Sequence, residues 1–258
     1  MSISKIAAFM ALLLGIGLMV YAGGQLLAIR EVYQEGSQAY EALNERVKVS
    51  GQAALPIQGP QENHADTQNA QANTPAHSID FAALKTINED AAAWLFSPGT
   101  AIDYPVIKAD DYSYYIDRLP DGTKNANGSL FIDYNNAADF SGPLTVIYGH
   151  HMKSGKMFGS LKGYKEQGYY EKHPQMYLFT EQGGYQIELL YGCIIDAGQW
   201  RERAFMYAEN VESLLAYAAH HTTFTSAAKY TEGDKILALS TCSYKFDHAC
   251  YVMLGILK

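Results

Sequence analysis

The sequence predicts a mainly β fold, a closed or nearly closed barrel with two or three inserted helices. Three features point there. Beyond residue 100, short apolar runs alternate with clusters rich in glycine and asparagine, the pattern of many short strands joined by turns. The 258-residue chain holds 20 tyrosines, and aromatic side chains suit a pleated, half-buried surface. Only a few stretches carry the 3.6-residue period of an amphipathic helix. The length accommodates one ordinary domain plus extensions. Nineteen Lys and Arg against 27 Asp and Glu leave a formal charge of −8, and no basic patch interrupts it, which argues against a nucleic-acid partner.

Taken in order, the chain opens on residues 1–5, a short tail, followed by residues 6–29, which contain no charged side chain and are bounded by Lys5 and Arg30. That run exceeds the ~20 residues a helix needs to cross a bilayer, so it reads as a single-pass membrane anchor. A cleaved signal peptide with a small-residue site near Ala22-Gly23-Gly24 is the alternative, but the apolar run continues past that point. Lys5 on one side and Arg30, Arg46 and Lys48 on the other leave orientation undecided by positive charge. Residues 31–49 have a weak helical period and continue the helix as a stalk. Residues 51–77 are rich in Gln, Asn, Ala and Pro and read as a flexible tether, since they bury too little to offset their ordering entropy. The division is thus an anchor at 6–29, stalk and tether at 30–77, and a folded domain at 78–258.

Within that domain, Ser78 is positioned to cap a short helix carrying Phe81 and Leu84. Residues 88–95, Asn-Glu-Asp-Ala-Ala-Ala-Trp-Leu, read as a second capped helical turn, ended by Ser97-Pro98-Gly99-Thr100. Strand-like runs follow at 103–107, 113–116, 129–133 and 144–148. Two more, at 176–180 and 185–195, flank the turn Glu181-Gln182-Gly183-Gly184. Val211, Leu214, Leu215 and Ala218 follow helical spacing, with Asn210 a candidate cap. In the final strands, Leu237, Leu239 and Thr241 alternate with Ile236, Ala238 and Ser240, and the first of these strands stops at Cys242.

A thiol at the end of a buried strand is rigidly aimed, as a nucleophile must be, although buried cysteines are often only structural. The run Val146-Ile147-Tyr148-Gly149 ends in His150 and His151. An imidazole at one strand exit can meet a thiol at another and make a Cys/His pair; otherwise these are surface histidines of a loop. A shared metal is disfavoured, because neighbouring residues on an extended strand point to opposite faces. Cys193, Cys242 and Cys250 lack the paired spacing of a zinc site. No cofactor motif and no acidic cluster for calcium is present. Cys193, Tyr148 and Trp94 read as packing residues, and Asp247 and His248 as polar residues of a solvated turn.

Several motifs resemble the class B sortases, membrane-anchored cysteine transpeptidases of Gram-positive-type cell surfaces. They are Ile87-Asn88-Glu89-Asp90 through Trp94-Leu95, Pro98-Gly99-Thr100-Ala101-Ile102-Asp103-Tyr104-Pro105-Val106, and Gly128-Ser129-Leu130-Phe131-Ile132-Asp133-Tyr134. Ile147-Tyr148-Gly149-His150-His151-Met152, Met157-Phe158 and Leu239-Ser240-Thr241-Cys242-Ser243-Tyr244 complete the set. The resemblance, from about residue 80 to the C-terminus, implies an eight-stranded barrel with N-terminal helices, a cytoplasmic N-terminus and an extracellular domain. It further implies that Cys242 attacks a threonine carbonyl in a C-terminal sorting motif of a secreted protein. His150 would then protonate the departing amine. A peptidoglycan-precursor or pilin amine would resolve the thioacyl-enzyme, and no cofactor would be needed. Leu239, Ser240, Thr241 and His151 become the expected substrate contacts.

Two positions depart from that pattern. Ala238 replaces the usual threonine of the cysteine box, a modest change. More seriously, the family's oxyanion-steadying arginine falls at position 250, and here it is Cys250. A thiol has no guanidinium fork. Loss of one oxyanion donor costs ~10²–10³ in turnover, so impaired chemistry is expected. Arg201 and Arg203 lie in the preceding connection, but the sequence does not bring them to the site. Cys250 could instead bond Cys242, blocking catalysis until reduced, or be a small buried residue. The competing functions are a weakly catalytic, tethered binding domain for surface proteins and a thiol peptidase that uses water.

Overall fold

The computed structural model describes residues 3–48, 78–200, 211–242 and 249–258. The expected tether at 51–77, the Asn210 cap, Arg201, Arg203, Asp247 and His248 lie outside the described residues. Among the described residues, eight strands close into a barrel in the order β1-β2-β3-β4-β7-β8-β6-β5. They are β1 (Ala91–Phe96), β2 (Asp103–Lys108), β3 (Leu130–Ile132), β4 (Leu144–His150), β5 (Gln175–Thr180), β6 (Gly183–Asp196), β7 (Lys235–Cys242) and β8 (Ala249–Leu257). The helices are α1 (Ile3–Val47), α2 (Phe81–Ile87), α3 (Gln167–Lys172) and α4 (Val211–His221), with 3₁₀ turns at Tyr114–Asp117 and Phe158–Lys165.

Closure removes the exposed edges that an open sheet would present. The strands bury both faces. Trp94, Phe131, Val146, Tyr148, Ala238 and Val252 pack on one side with residues of α1, α2 and α4. Leu95, Leu130, Ile147, Leu237, Leu239 and Met253 pack on the other with Phe158 and Leu161. Two pairings are parallel, β2 with β3 and β4 with β7. Parallel neighbours cannot be joined by a hairpin, so the β4-to-β7 connection is a long crossover. It carries α3, the β5–β6 hairpin and α4.

Helix α1 carries the apolar anchor segment in one unbroken 45-residue helix, long and apolar enough to cross a membrane. Its last turns are no bare stalk, since Tyr40, Leu43 and Val47 are buried against the domain. Helix α2 begins two residues later than Ser78 suggested, because Asp80 is the cap and its carboxylate accepts from the Ala83 N–H at 2.9 Å. In α4, Val211, Leu214, Leu215 and Ala218 are all buried, as their spacing predicted.

Two local expectations are overturned. Residues 88–95 are not a helical turn: Asn88 closes α2 by donating to the Leu84 carbonyl, and Ala91–Phe96 is strand β1. Alanine favours helix intrinsically, but Trp94 and Leu95 are both fully buried on opposite faces, which consecutive residues achieve in a strand. The run at 113–116 is no strand but the 3₁₀ turn Tyr114–Asp117. There the Asp111 carboxylate accepts from the Ser113 and Tyr114 N–H groups at 2.6 and 2.7 Å, an alternative to a sheet ladder. Those bonds also hold the Asp111 carboxyl below the usual carboxylate range.

Trp94 ties β1 to β2, being fully buried while its indole N–H donates to Asp103 at 2.8 Å. Trp94→Ala should cost about 3–5 kcal/mol of unfolding free energy, whereas Trp94→Phe should cost less by sparing most of the volume. Urea titration checks this, and equal midpoints for Trp94→Ala and the parent would remove Trp94 from the core argument.

Candidate active site

Strands β4 and β7 run side by side in parallel for seven paired positions, from Leu144↔Ile236 to His150↔Cys242. Both strands end at that last pair. Adjacent strands lie about 4.8 Å apart, and paired positions of a parallel ladder share a face, so the backbone brings positions 150 and 242 together. The two positions lie 92 apart in sequence.

His150 is half-buried in a small pocket with Ile116, Ser129, Phe131, Tyr148 and Gly149. Its Nε2 bonds the backbone carbonyl of Ile116. A carbonyl only accepts, so Nε2 carries the hydrogen and, in the neutral ring, Nδ1 keeps its lone pair. The ring also lies against Gly128, where a Cβ would come within 2.9 Å of its Cδ2 and 2.4 Å of the Ile116 oxygen. Gly128 adopts a left-handed φ of 61°, which glycine tolerates without strain. Sequence reasoning missed both wall residues: Ile116 acts through its backbone, and Gly128 by lacking a side chain.

Beside this pair, Tyr148 is a packing residue with a polar end. Its hydroxyl and that of Tyr112 both donate to Asp133, at 2.9 and 2.8 Å. His151, next to His150, is exposed and makes an isolated bridge with Met157. Partial burial, then Lys162 and Lys165, hold its imidazole pKa below the ordinary value.

The other predicted contacts are buried. Leu239, Ser240 and Thr241 each keep 4% or less of their surface exposed. Thr241 spends its hydroxyl on Tyr251, accepting from the N–H at 2.9 Å and donating to the carbonyl at 3.2 Å. Cys250, second residue of β8, is also buried, paired with Ile195 of β6. The antiparallel register of β7 and β8 runs to Ser240↔Val252, and Thr241 meets Tyr251. Carried one step further, it sets positions 242 and 250 opposite each other. Cys193 lies fully buried in an apolar strand, where burial pushes its thiol up to about 12. Among the described residues, no group of three or more His, Cys, Asp or Glu is gathered as a metal site.

No protein-family model matches the sequence. The chain is similar to sortase B of Listeria monocytogenes serovar 1/2a, 32% identical over 167 residues, covering 64% of this chain and 68% of the relative. It is also similar to sortase B of Staphylococcus aureus, 27% identical over 163 residues, covering 63% of this chain and 67% of the relative. Among solved structures, a Staphylococcus aureus sortase B–substrate complex superposes with a TM-score of 0.64 at 26% identity, covering 69% of this chain and 84% of that one. Sortase B from Bacillus anthracis in complex with AAEK2 superposes with a TM-score of 0.63 at 30% identity, covering 69% and 83%.

The raised Cys193 thiol gives a direct check of the packing. At pH 8 a thiol with that pKa is ~10⁻⁴ ionised. Iodoacetamide should therefore leave Cys193 unmodified in the native protein and alkylate it on unfolding, as peptide mass spectrometry would read. Native labelling of Cys193 would contradict its burial.

Proposed function

The chain belongs to the sortase B family, and from that premise we propose that it is a membrane-anchored cysteine transpeptidase with Cys242 as nucleophile and His150 as acid–base partner. The observation that carries this assignment is the terminal register pair His150↔Cys242 on two parallel strands. An imidazolium beside a cysteine lowers the thiol pKa and supplies the thiolate, and the two groups then titrate as a unit. Thiolate attack on a threonine carbonyl forms a tetrahedral oxyanion. Its collapse expels the amine of the next residue, which takes its proton from Nδ1 of His150. The thioacyl-enzyme is then resolved by an amine from a peptidoglycan precursor or a pilin. His151 would meet substrate at the exposed rim, and Leu239, Ser240 and Thr241 would shape the site from beneath. Residues 6–29 form a single-pass anchor with residues 1–5 cytoplasmic, residues 30–77 join it to the domain, with the end of α1 docked there, and the catalytic domain at 78–258 faces the exterior.

Oxyanion stabilisation is the weak step. Sortases steady this charge with arginine, and position 250 carries a buried cysteine. Impaired turnover follows, with a surface-protein binding domain as the second reading that this same residue favours; a thiol peptidase using water is a further variant. A threonine-containing peptide library, incubated with the protein and read by intact mass, separates them: an enzyme accumulates a thioacyl adduct on Cys242, and a binding domain does not. Cys250→Arg should speed cleavage by about 10- to 1,000-fold. If a peptide binds and that variant gains nothing, the arginine account fails. Product unchanged by an added glycine-based or diamino-acid nucleophile would favour the peptidase.

The β7/β8 register also supports reversible oxidation of Cys242 with Cys250. Cα atoms directly opposite in antiparallel strands lie about 4.5–5.5 Å apart, within the range a disulfide spans. A hydroperoxide would take one electron pair from the two thiols, giving the disulfide, an alcohol and water. Activity insensitive to peroxide and reductant would exclude the bond.

A further inference from the structure

We propose that Tyr40, on the helix that carries the membrane anchor, is a positioning residue for His150, so that docking of this helix on the barrel sets the geometry of the site. The inference rests on the Cys242/His150 reading. Beyond the apolar segment, α1 is fastened to the loop preceding β3. The Asn125 side chain donates to the Val32 carbonyl at 3.0 Å, and that of Asn127 donates to the Tyr33 carbonyl at 3.4 Å. Gly36 allows this close approach, because a Cβ there would come within 2.4 Å of the Asn127 amide nitrogen. One turn on, Tyr40 is buried edge-on against Tyr104, with ring centroids 5.0 Å apart. Its hydroxyl donates to the Gly128 carbonyl at 2.6 Å and lies 3.4 Å from the Ser129 hydroxyl.

Gly128 is the residue against which the His150 ring rests, and its place beside the Ile116 carbonyl leaves no room for a Cβ. The surrounding backbone is tied to the same loop. Ser129 N–H donates to the Tyr115 carbonyl at 2.9 Å, Ser129 Oγ to the Arg118 carbonyl at 2.8 Å, and Asn125 N–H to the Asp117 carbonyl at 2.8 Å. The hydroxyl of Tyr40 thus bonds one of the two backbone units that orient the imidazole, and the loop holds the other. Burial drives ionisation of Tyr40 well above the usual tyrosine range, so the hydroxyl remains a donor at any working pH. Ten residues of helix separate Arg30 from Tyr40, about 15 Å of rise. The anchor therefore sets both the height of the site and the attitude of its histidine.

The test uses the full-length protein in detergent micelles and reads the rate of Cys242 alkylation by iodoacetamide from pH 5 to 10, by peptide mass spectrometry. Tyr40→Phe removes the hydroxyl and keeps the packing, and Gly36→Val separates helix from loop at a second point. Both variants should alkylate Cys242 three- to tenfold more slowly than the parent at pH 7, and equally fast at pH 10, where the thiolate is complete without help. A merely destabilising change would instead raise the rate at both pH values by exposing the thiol. The proposal is overturned if His150→Ala moves the profile and Tyr40→Phe superposes on the parent. If His150→Ala leaves the profile in place, the Cys/His pair itself is wrong and this inference goes with it.

Discussion

Parallel pairing of β4 with β7 is the constraint on which the candidate chemistry depends. A parallel pair cannot be closed locally, and ordering a long crossover must be offset by burial at both of its ends. The two strands provide it: Leu144, Val146 and Ile147 on β4 and Ile236, Leu237 and Leu239 on β7 are nearly inaccessible. With seven positions in register, the last pair has little freedom to slip. A shift of one residue would send every buried side chain to the opposite face. The meeting of positions 150 and 242 is therefore a by-product of core packing and needs no special contact of its own.

Precision at the histidine comes from another source. A strand end sets where an imidazole starts, while its tautomer and tilt depend on what the ring touches. Here the contacts are a carbonyl at Ile116 and the bare backbone of Gly128, in a loop fastened to α1 by Asn125, Asn127 and Tyr40. The helix that carries the long apolar segment and the imidazole of His150 both rest on one piece of backbone, at Gly128. Position 250 shows the opposite case. There a buried thiol, which has no guanidinium fork, takes its place in the ladder opposite Ile195.

Much of this was legible in the chain. Alternation in residues 236–241 located β7, the turn signal Glu181-Gln182-Gly183-Gly184 located the β5–β6 hairpin, and the spacing of Val211, Leu214, Leu215 and Ala218 located a helix. Such signals are local, because strand and helix geometry send side chains to a given face with a period of 2 or 3.6. The motifs around His150 and Cys242 pointed to the sortase family, which the Listeria relative bears out. Misreadings arose where local preference and tertiary context disagree. The alanines at 91–93 favour helix but are held as strand by β2, and Asp111 turned an aromatic run into a 3₁₀ turn.

The sequence by itself determined the residue types, the long apolar segment, the cysteine at position 250 and most strand positions, since each is written in composition or short-range period. Only the tertiary structure decided that β4 and β7 are parallel neighbours, that the expected stalk docks on the barrel, and that a glycine and a backbone carbonyl wall in His150. Each of those contacts has a backbone group on at least one side, dozens of residues from its partner, and a backbone amide or carbonyl is the same in every residue, so no side-chain pattern records where it goes.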